Sequence, residues 1–457
     1  MSEQNFDVVV LGGGSGGYAA ALRASELGFS VALVEKDKVG GTCLHRGCIP
    51  TKALLHAAEV ADVSRESAKY GVHTQLNGID IAGVTTYRRD IVEHKYKGLQ
   101  GLVKSRGITT IAGSGRLTSP STIQVGDDTI TGKHIVLATG SYSRSLPGLE
   151  IGGRVITSEH ALELDYIPKR VAILGGGVIG VEFASVWKSF GSEVQIIEAL
   201  PHLVPNEEES ISKSFERAFR KRGIAFSLGI RFQSVTQDDQ GVVVTLEDGK
   251  TFEADILLVA VGRGPVTADL GYEEVGVTMD RGFVLTDERL ATSVPGVYAI
   301  GDIVPGLQLA HRSFQQGIFV AEEIAGLKPV VIEDANIPKV TYSDPEVASV
   351  GLTTAKATEK YGADKIAAYD YNLAGNGKSS ILGTAGSIKV IRVVDGPVIG
   401  VHMIGARVGE LIGEAQLTVN WEAYPEDVAS LIHAHPTQNE ALGEAMLALA
   451  GKPLHAM

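Results

Sequence analysis

The chain's only two cysteines, Cys43 and Cys48, stand in one short stretch, Gly40 to Lys52, which reads GGTCLHRGCIPTK. On an ideal α-helix, residues so spaced have Cα atoms roughly 8–9 Å apart, beyond the ~7 Å that a disulfide tolerates. A bond between them requires a broken helix, and Gly47 and Pro50 are the residues suited to break it. So small a loop removes little entropy from the unfolded chain, and the bond would stabilise weakly. The pair is therefore poorly placed as a structural cross-link and well placed as a redox couple. Two buried free thiols packing as small hydrophobes are the plain alternative. A zinc half-site lacks a second ligand pair. A second chemical stretch, HAHPTQNE, runs from His433 to Glu440. Its His-x-His could ligate a metal, but no further Cys, Asp or His cluster accompanies it, and a structural histidine is the alternative.

The elements around these stretches form a repeat. Phe6 to Leu11, FDVVVL, is an apolar run interrupted only by Asp7, as suits a buried parallel strand. Gly12, Gly14 and Gly17 follow as GxGxxG, then a helical pattern from Tyr18 to Leu27, a stop at Gly28, and a strand from Ser30 to Val34 ending at Glu35. This is the dinucleotide fingerprint in context. The glycines let backbone approach a pyrophosphate at a helix N-terminus, and the acid accepts ribose hydroxyls. The unit recurs as a strand from Arg170 to Leu174, Gly175, Gly177 and Gly180, a strand from Val194 to Ile197, and Glu198. Each landmark lies 163 positions after its counterpart (12 and 175, 28 and 191, 35 and 198). Two such folds imply two cofactors, and a cysteine pair between them implies an electron relay.

Elsewhere, Gly241 to Val261 reads as hairpin strands turning at Asp248-Gly249. The acidic run Glu207 to Glu209 reads as a solvated face, and residues 372–380, NLAGNGKSS, as a loop. Lys52 and Glu182 pass as ordinary surface charges. At 457 residues, about three domains are expected. Acidic residues outnumber basic ones, 54 against 41, which excludes the footprint of a nucleic-acid binder. No apolar run reaches the ~18 residues that a membrane span needs. MSEQNFDVVV carries no signal or transit pattern, so a cytoplasmic location is expected, where disulfides are transient and catalytic.

Over its whole length the chain resembles the class I pyridine nucleotide-disulfide oxidoreductases, and within them the dihydrolipoamide dehydrogenases. GGTCLHRGCIPTK matches their redox-active disulfide segment, with His45 and Arg46 where Asn and a small residue are commoner, and Thr51 for Ser. The resemblance implies an α/β fold of two Rossmann-like dinucleotide-binding domains plus a central domain and a C-terminal α+β dimerisation domain. It divides the chain into an FAD-binding domain with the redox disulfide (1–148), an NAD-binding domain (149–270), a central domain (271–338) and an interface domain (339–457). FAD is then assigned to Gly12, Gly14, Gly17 and Glu35, with Thr139 and Gly140 of VLATG and Asp302 of VYAIGD. NAD is assigned to Gly175, Gly177, Gly180 and Glu198.

Cofactor choice also follows from charge, since a carboxylate at Glu198 favours a ribose 2′-hydroxyl and repels a 2′-phosphate. Val178 stands where glutathione reductases carry Tyr, and Val266 in GRGPVT where the family has Asn. LAHRSFQQG around His311 resembles the dehydrogenase form. The resemblance pairs Lys52 with Glu182 beneath the flavin, near the Cys48 thiolate. It makes His435 the acid/base and Glu440 its orienting carboxylate, in a dimer where His435 reaches the partner's cysteine pair. The implied reaction oxidises protein-bound dihydrolipoamide through Cys43, Cys48 and FAD to NAD, with no metal. Its partners would be lipoyl domains of 2-oxoacid dehydrogenase complexes or a glycine-cleavage carrier, with neither nucleic acid nor membrane. The alternative is an NAD(P)H-dependent reductase of another low-molecular-weight disulfide.

Overall fold

The computed structural model describes residues 3–455. A seven-stranded sheet forms the first layer. Its order is Thr109–Ala112, Val31–Glu35, Glu3–Leu11, Asp128–Leu137, Thr122–Val125 and Gly115–Ser119, with Val297–Ala299 added alongside Asp128–Leu137. The central pairings are parallel, Val8 to Leu11 lying opposite Val31 to Val34 on one side and His134 to Leu137 on the other. Val8 to Leu11 are buried, as strands covered on both faces must be. Helices Ser15–Glu26 and Ala310–Ile324 pack closely on one another; a Cβ on Gly317 would lie 2.3 Å from the Gly16 carbonyl oxygen. A strand and a helix from near residue 300 thus complete the unit built by the chain's beginning.

The second unit is a parallel sheet in the order Ala225–Leu228, Glu193–Glu198, Arg170–Leu174, Ile256–Val259 and Val155–Ile156. Here one expectation is corrected. Only Val242–Leu246 and Thr251–Ala254 form the hairpin, joined by Phe232–Gln237 in an antiparallel sheet. Ile256–Val259 leaves it for the parallel sheet because all four residues are apolar and buried, a pattern that a half-solvated hairpin cannot satisfy.

The third unit is a five-stranded antiparallel sheet, ordered Lys339–Thr341, Glu346–Gly351, Val398–Gly405, Ser387–Val393 and Ile366–Asn372. Helices Val408–Asn420 and Glu440–Leu449 bury Ile412, Ala415, Leu442 and Met446 with Val390, Val401 and Met403 of that sheet. Residues 372–380 are not a loop. Leu373–Gly375 makes a 3₁₀ turn and Gly377–Leu382 a short helix, started by the side chains of Asn372 and Asn376, which accept from Ala374 and Ser379 N–H. Asparagine signals both turns and helix starts, and here it makes the latter.

The acidic run is also not a solvated face. The Glu207 and Glu208 side chains are only 8% and 5% exposed and pair with Lys339 at 3.0 Å and Lys389 at 2.6 Å. Glu207 accepts from the Ser349 hydroxyl, and Glu208 from Thr354 N–H and Oγ1, tying the second unit to the third. Glu209 is the exposed member, paired with Lys213 one turn along its helix.

Candidate active site

The cysteine stretch folds as two helices, Gly41–Arg46 and Cys48–Glu66, broken at Gly47 (φ −139°, ψ −111°). Gly47 fits because a Cβ there would lie 3.0 Å from the Thr42 carbonyl oxygen. Pro50 does not contribute to the break. It sits in the first turn of the second helix, where its missing N–H costs nothing. The Thr51 hydroxyl donates to the Gly47 carbonyl at 2.6 Å, a bond a serine could equally make. His45 turns away from the thiols, holding the Val39 carbonyl at 3.0 Å and stacking edge-on against Tyr96, while Arg46 pairs with Asp37.

The kink brings Cys43 and Cys48 into contact as free, half-buried thiols. Cys43 donates to Cys48, and that bond together with burial pushes the Cys43 thiol well above its usual value; the Ser15 hydroxyl, at the start of the first glycine-loop helix, opposes the rise. Cys48 is held down to about 7, chiefly by the hydrogen bond from Cys43, with Lys52 helping against burial and Glu182. Ionisation is thus favoured at Cys48 over Cys43, the division of labour that an exchange reaction needs.

Lys52 lies one helical turn beyond Cys48, on the same face. It is not an ordinary surface charge. Its Nζ meets both oxygens of Glu182, at 2.9 and 2.8 Å, and Glu182 is 2% exposed. Burial pulls the Lys52 pKa down, but the Glu182 carboxylate more than offsets it and the net shift is upward. Two further contacts were not foreseen: Tyr342 N–H donates to Glu182 Oε1 at 2.9 Å, and Lys52 Nζ lies 4.7 Å from the centre of the Tyr342 ring. Nothing local in the sequence points to a tyrosine from the third unit. Replacing Lys52 by Met removes the cation and leaves the Glu182 carboxylate without a counter-charge, and both changes disfavour the Cys48 thiolate. The ultraviolet thiolate signal of the reduced protein is expected to rise at higher pH in Lys52→Met than in the parent, where Lys52 helps to hold the Cys48 thiol low. A midpoint that stays put or falls contradicts this reading of the lysine.

The two glycine loops are near copies in space. Gly12 and Gly175 have φ of 105° and 112°, and a Cβ on either would strike the carbonyl oxygen of Ala138 or Ala260 at 2.3 or 2.4 Å. Gly17 and Gly180 press against the Gly12 and Gly175 carbonyls. Glu35 accepts from Gly13 N–H at 2.6 Å and Asp37 N–H at 2.8 Å; Glu198 accepts from Gly176 N–H at 2.6 Å and Leu200 N–H at 2.8 Å. Gly14 and Gly177 differ from the others, since a Cβ there would meet no protein atom within 4 Å. The protein itself does not need glycine at those two positions. The open space before each helix N-terminus suits the close approach of a pyrophosphate, so both loops fit a dinucleotide.

Thr139 and Gly140 sit where the first unit meets residues 263–267. Thr139 Oγ1 donates to the Val266 carbonyl at 2.6 Å, and Val266 N–H donates to the Gly140 carbonyl at 2.9 Å. Both of these contacts use the Val266 backbone and do not depend on its side chain. Asp302 accepts from the Ser141 hydroxyl at 2.5 Å, and Arg263 Nε donates to that same hydroxyl at 2.7 Å. His311 is exposed and meets the Pro338 carbonyl at 2.7 Å. Val178, at the first position of the second glycine-loop helix, is 43% exposed.

At the other end of the chain, His435 Nδ1 lies 2.8 Å from Glu440 Oε1, while Glu440 Oε2 accepts from Thr437 N–H at 2.7 Å. Partial burial raises the Glu440 pKa, but these two contacts outweigh it and the carboxyl lies below its usual value. A carboxylate on one imidazole nitrogen fixes the tautomer and leaves the other nitrogen to work. His433 turns elsewhere, to Glu414 at 2.9 Å, so the two histidines serve separate carboxylates. The His435 side chain is 78% exposed, and among the described residues no hydrogen bond joins it to Cys43 or Cys48 of the same chain. Leu417, Trp421, Leu431 and Ile432 are exposed in the same region, Ile432 completely.

The chain matches the pyridine nucleotide-disulphide oxidoreductase family over residues 6–317 and that family's dimerisation domain over residues 337–446. It belongs to this family. It is 39% identical to a mitochondrial dihydrolipoyl dehydrogenase of Pisum sativum over 99% of this chain and 93% of that one. A dihydrolipoyl dehydrogenase of Bacillus subtilis is also 39% identical, over 98% of this chain and 99% of the relative. Leghemoglobin reductase of Vigna unguiculata is 38% identical over 99% of this chain and 89% of the relative. Among solved structures, LpdA of Mycobacterium tuberculosis superposes with a TM-score of 0.90 at 25% identity, covering 98% of this chain and 99% of that one. The flavoprotein disulfide reductase RclA of Escherichia coli gives 0.88 at 27% identity, covering 98% and 100%. The expected fold class is therefore the one found, and the cofactors are FAD and NAD. The dimerisation domain makes the family member a homodimer. Among the described residues, no helix is long and apolar enough to cross a membrane.

Proposed function

We propose that this chain oxidises dihydrolipoamide to lipoamide and reduces NAD+, with Cys43, Cys48, His435 and Glu440 carrying the thiol chemistry. The observation that carries the assignment is the cysteine pair in contact across a helix break, with Ser15 of the first glycine-loop helix beside Cys43 and Lys52 beside Cys48. His435 takes the proton of a substrate thiol, and the resulting thiolate attacks Cys43 Sγ of the Cys43–Cys48 disulfide. That S–S bond breaks and Cys48 leaves as a thiolate, its negative charge favoured by Lys52. The second substrate thiol attacks the substrate sulfur of the mixed disulfide, closing the lipoamide ring and releasing Cys43, whose sulfur takes up that second thiol's proton. Two electrons then reside on the reduced cysteine pair. FAD, when bound, supplies the two-electron connection from that pair to NAD+. Gly12, Gly14, Gly17 and Glu35, with Thr139, Gly140 and Asp302, are the residues that would hold it, and Lys52 and Glu182 would lie at its reactive end. Gly175, Gly177, Gly180 and Glu198 would hold NAD, and the buried Glu198 carboxylate disfavours a 2′-phosphate.

The domain division follows the same reading: an FAD-binding domain at 1–148, an NAD-binding domain at 149–270, a central domain at 271–338 and an interface domain from 339. The electron donors fitting it are lipoyl groups on 2-oxoacid dehydrogenase or glycine-cleavage carriers, in the cytoplasm. NADH-driven reduction of another small disulfide is less supported, because several relatives matched over nearly their full length bear dehydrogenase names.

The exposed His435 and the apolar surface beside it support a reading in which the acid–base pair stands at the dimer seam and each active site draws on both subunits. The test is complementation. A Cys48→Ser chain and a His435→Gln chain are each expected to be inactive alone, whereas their mixed dimer regains one intact site of its two. Failure of mixing to restore any activity would place each site within a single chain.

A further inference from the structure

The segment that the sequence presents as a plain loop, residues 372–380, meets the acid–base motif through a single buried side chain. Asn376 is 4% exposed. Its Oδ1 accepts from Ser379 N–H at 2.9 Å and from the Ser379 hydroxyl at 3.0 Å, starting the helix Gly377–Leu382. Its Nδ2 donates to the Thr437 carbonyl at 2.9 Å, across 61 positions of sequence. Thr437 is held again through its hydroxyl, which donates to the Ala434 carbonyl at 2.7 Å. The N–H of this same residue grips Glu440 Oε2, and the other oxygen of Glu440 meets His435. The far end of the short helix is anchored too, its Leu382 carbonyl accepting from the Tyr70 hydroxyl at 2.7 Å.

Starting a helix needs only an acceptor oxygen, and Ser, Asp and Asn supply it about equally well. The Asn376 N–H is therefore surplus to that task. A buried donor must still find a partner, and its partner is Thr437. We propose that Asn376 is a positioning residue for the acid–base pair, clamping Thr437 so that the Thr437 N–H fixes the Glu440 carboxylate that orients His435. The inference rests on the reading of His435 and Glu440 given under the proposed function. It assigns to the 372–382 segment a place in the thiol half of the reaction and none in the nucleotide half.

Asn376→Ser retains an acceptor for the helix start but cannot reach Thr437. In the holoenzyme it is expected to lower kcat for dihydrolipoamide oxidation about tenfold, a loss of the size that slight misplacement of a catalytic group produces. KM for NAD and the rate at which NADH reduces a dye acceptor should stay at the parent values. Ser379→Ala, which loses one contact to Asn376 but none to Thr437, should leave both reactions near the parent rate. An unchanged dihydrolipoamide rate in Asn376→Ser, or an equal fall in both reactions, overturns the proposal. If the serine variant does not fold, Asn376→Asp, which keeps the acceptor and removes the donor, is held to the same criterion. His435→Gln in the same two assays separates the failures. Selective loss there with none in the Asn376 variants rejects only the clamp, while no selective loss in His435→Gln rejects the acid–base reading and the clamp with it.

Discussion

Cys48→Ser is expected to lower dihydrolipoamide-dependent NAD reduction by a factor on the order of 10³ or more, as removal of an essential reacting group does. The reason is specific to the broken helix at Gly47. Substrate attack at Cys43 is productive only if Cys43 is bonded to a leaving sulfur, and Cys48 is the chain's only other cysteine. A serine at 48 preserves the helix and the approach of Lys52 but cannot form the S–S bond or leave as a stabilised thiolate. NADH reduction of a dye should survive, because that path does not use the cysteines. Steady-state rates with both acceptors on one preparation check this. Parallel loss of both activities would point to a damaged fold, and retention of dihydrolipoamide turnover would remove the cysteine pair from the mechanism.

The second large effect belongs to the other end of the chain. His435→Gln should cost about 10²–10⁴ in kcat with dihydrolipoamide, the span of a lost general base. Glu440→Gln should cost less, on the order of 10² within that same span. Glu440 now accepts with both oxygens, from Thr437 N–H and from His435. An amide has one acceptor, so it must release either Thr437 or the imidazole tautomer. Both variants should still pass electrons between NADH and a dye. Equal rates for Glu440→Gln and the parent would show that His435 works without its carboxylate.

Much of this was legible because its causes are local. The GxGxxG loops were readable from the glycines in their strand–turn–helix–strand context, and the structure shows why: at Gly12 and Gly175 a Cβ meets carbonyl oxygen, and at Gly14 and Gly177 it meets open space. The helix break between the cysteines followed from their spacing, although Gly47 alone supplies it. What escaped depends on contacts between distant parts of the chain. Glu207 and Glu208 read as solvated because nothing nearby announces Lys339 and Lys389. Glu182 could be matched to Lys52 only through a resemblance, and the Tyr342 N–H that also holds it left no trace in the pattern. Residues 372–380 read as a loop because turns and helix starts use the same asparagine side chain; the contact to Thr437 distinguishes Asn376 within it. Ile256–Val259 was misassigned for a related reason, since burial on both faces depends on what packs against the strand.

The central claim is that dihydrolipoamide is the donor and NAD the acceptor. It is tested most directly by anaerobic turnover of the purified yellow holoenzyme with dihydrolipoamide and either NAD or NADP, following the reduced nucleotide optically. Fast reduction of NAD, with NADP nearly inert against the Glu198 carboxylate, is the result expected. No reduction of either nucleotide, together with NADPH-driven reduction of a different disulfide, would contradict the assigned substrate and direction.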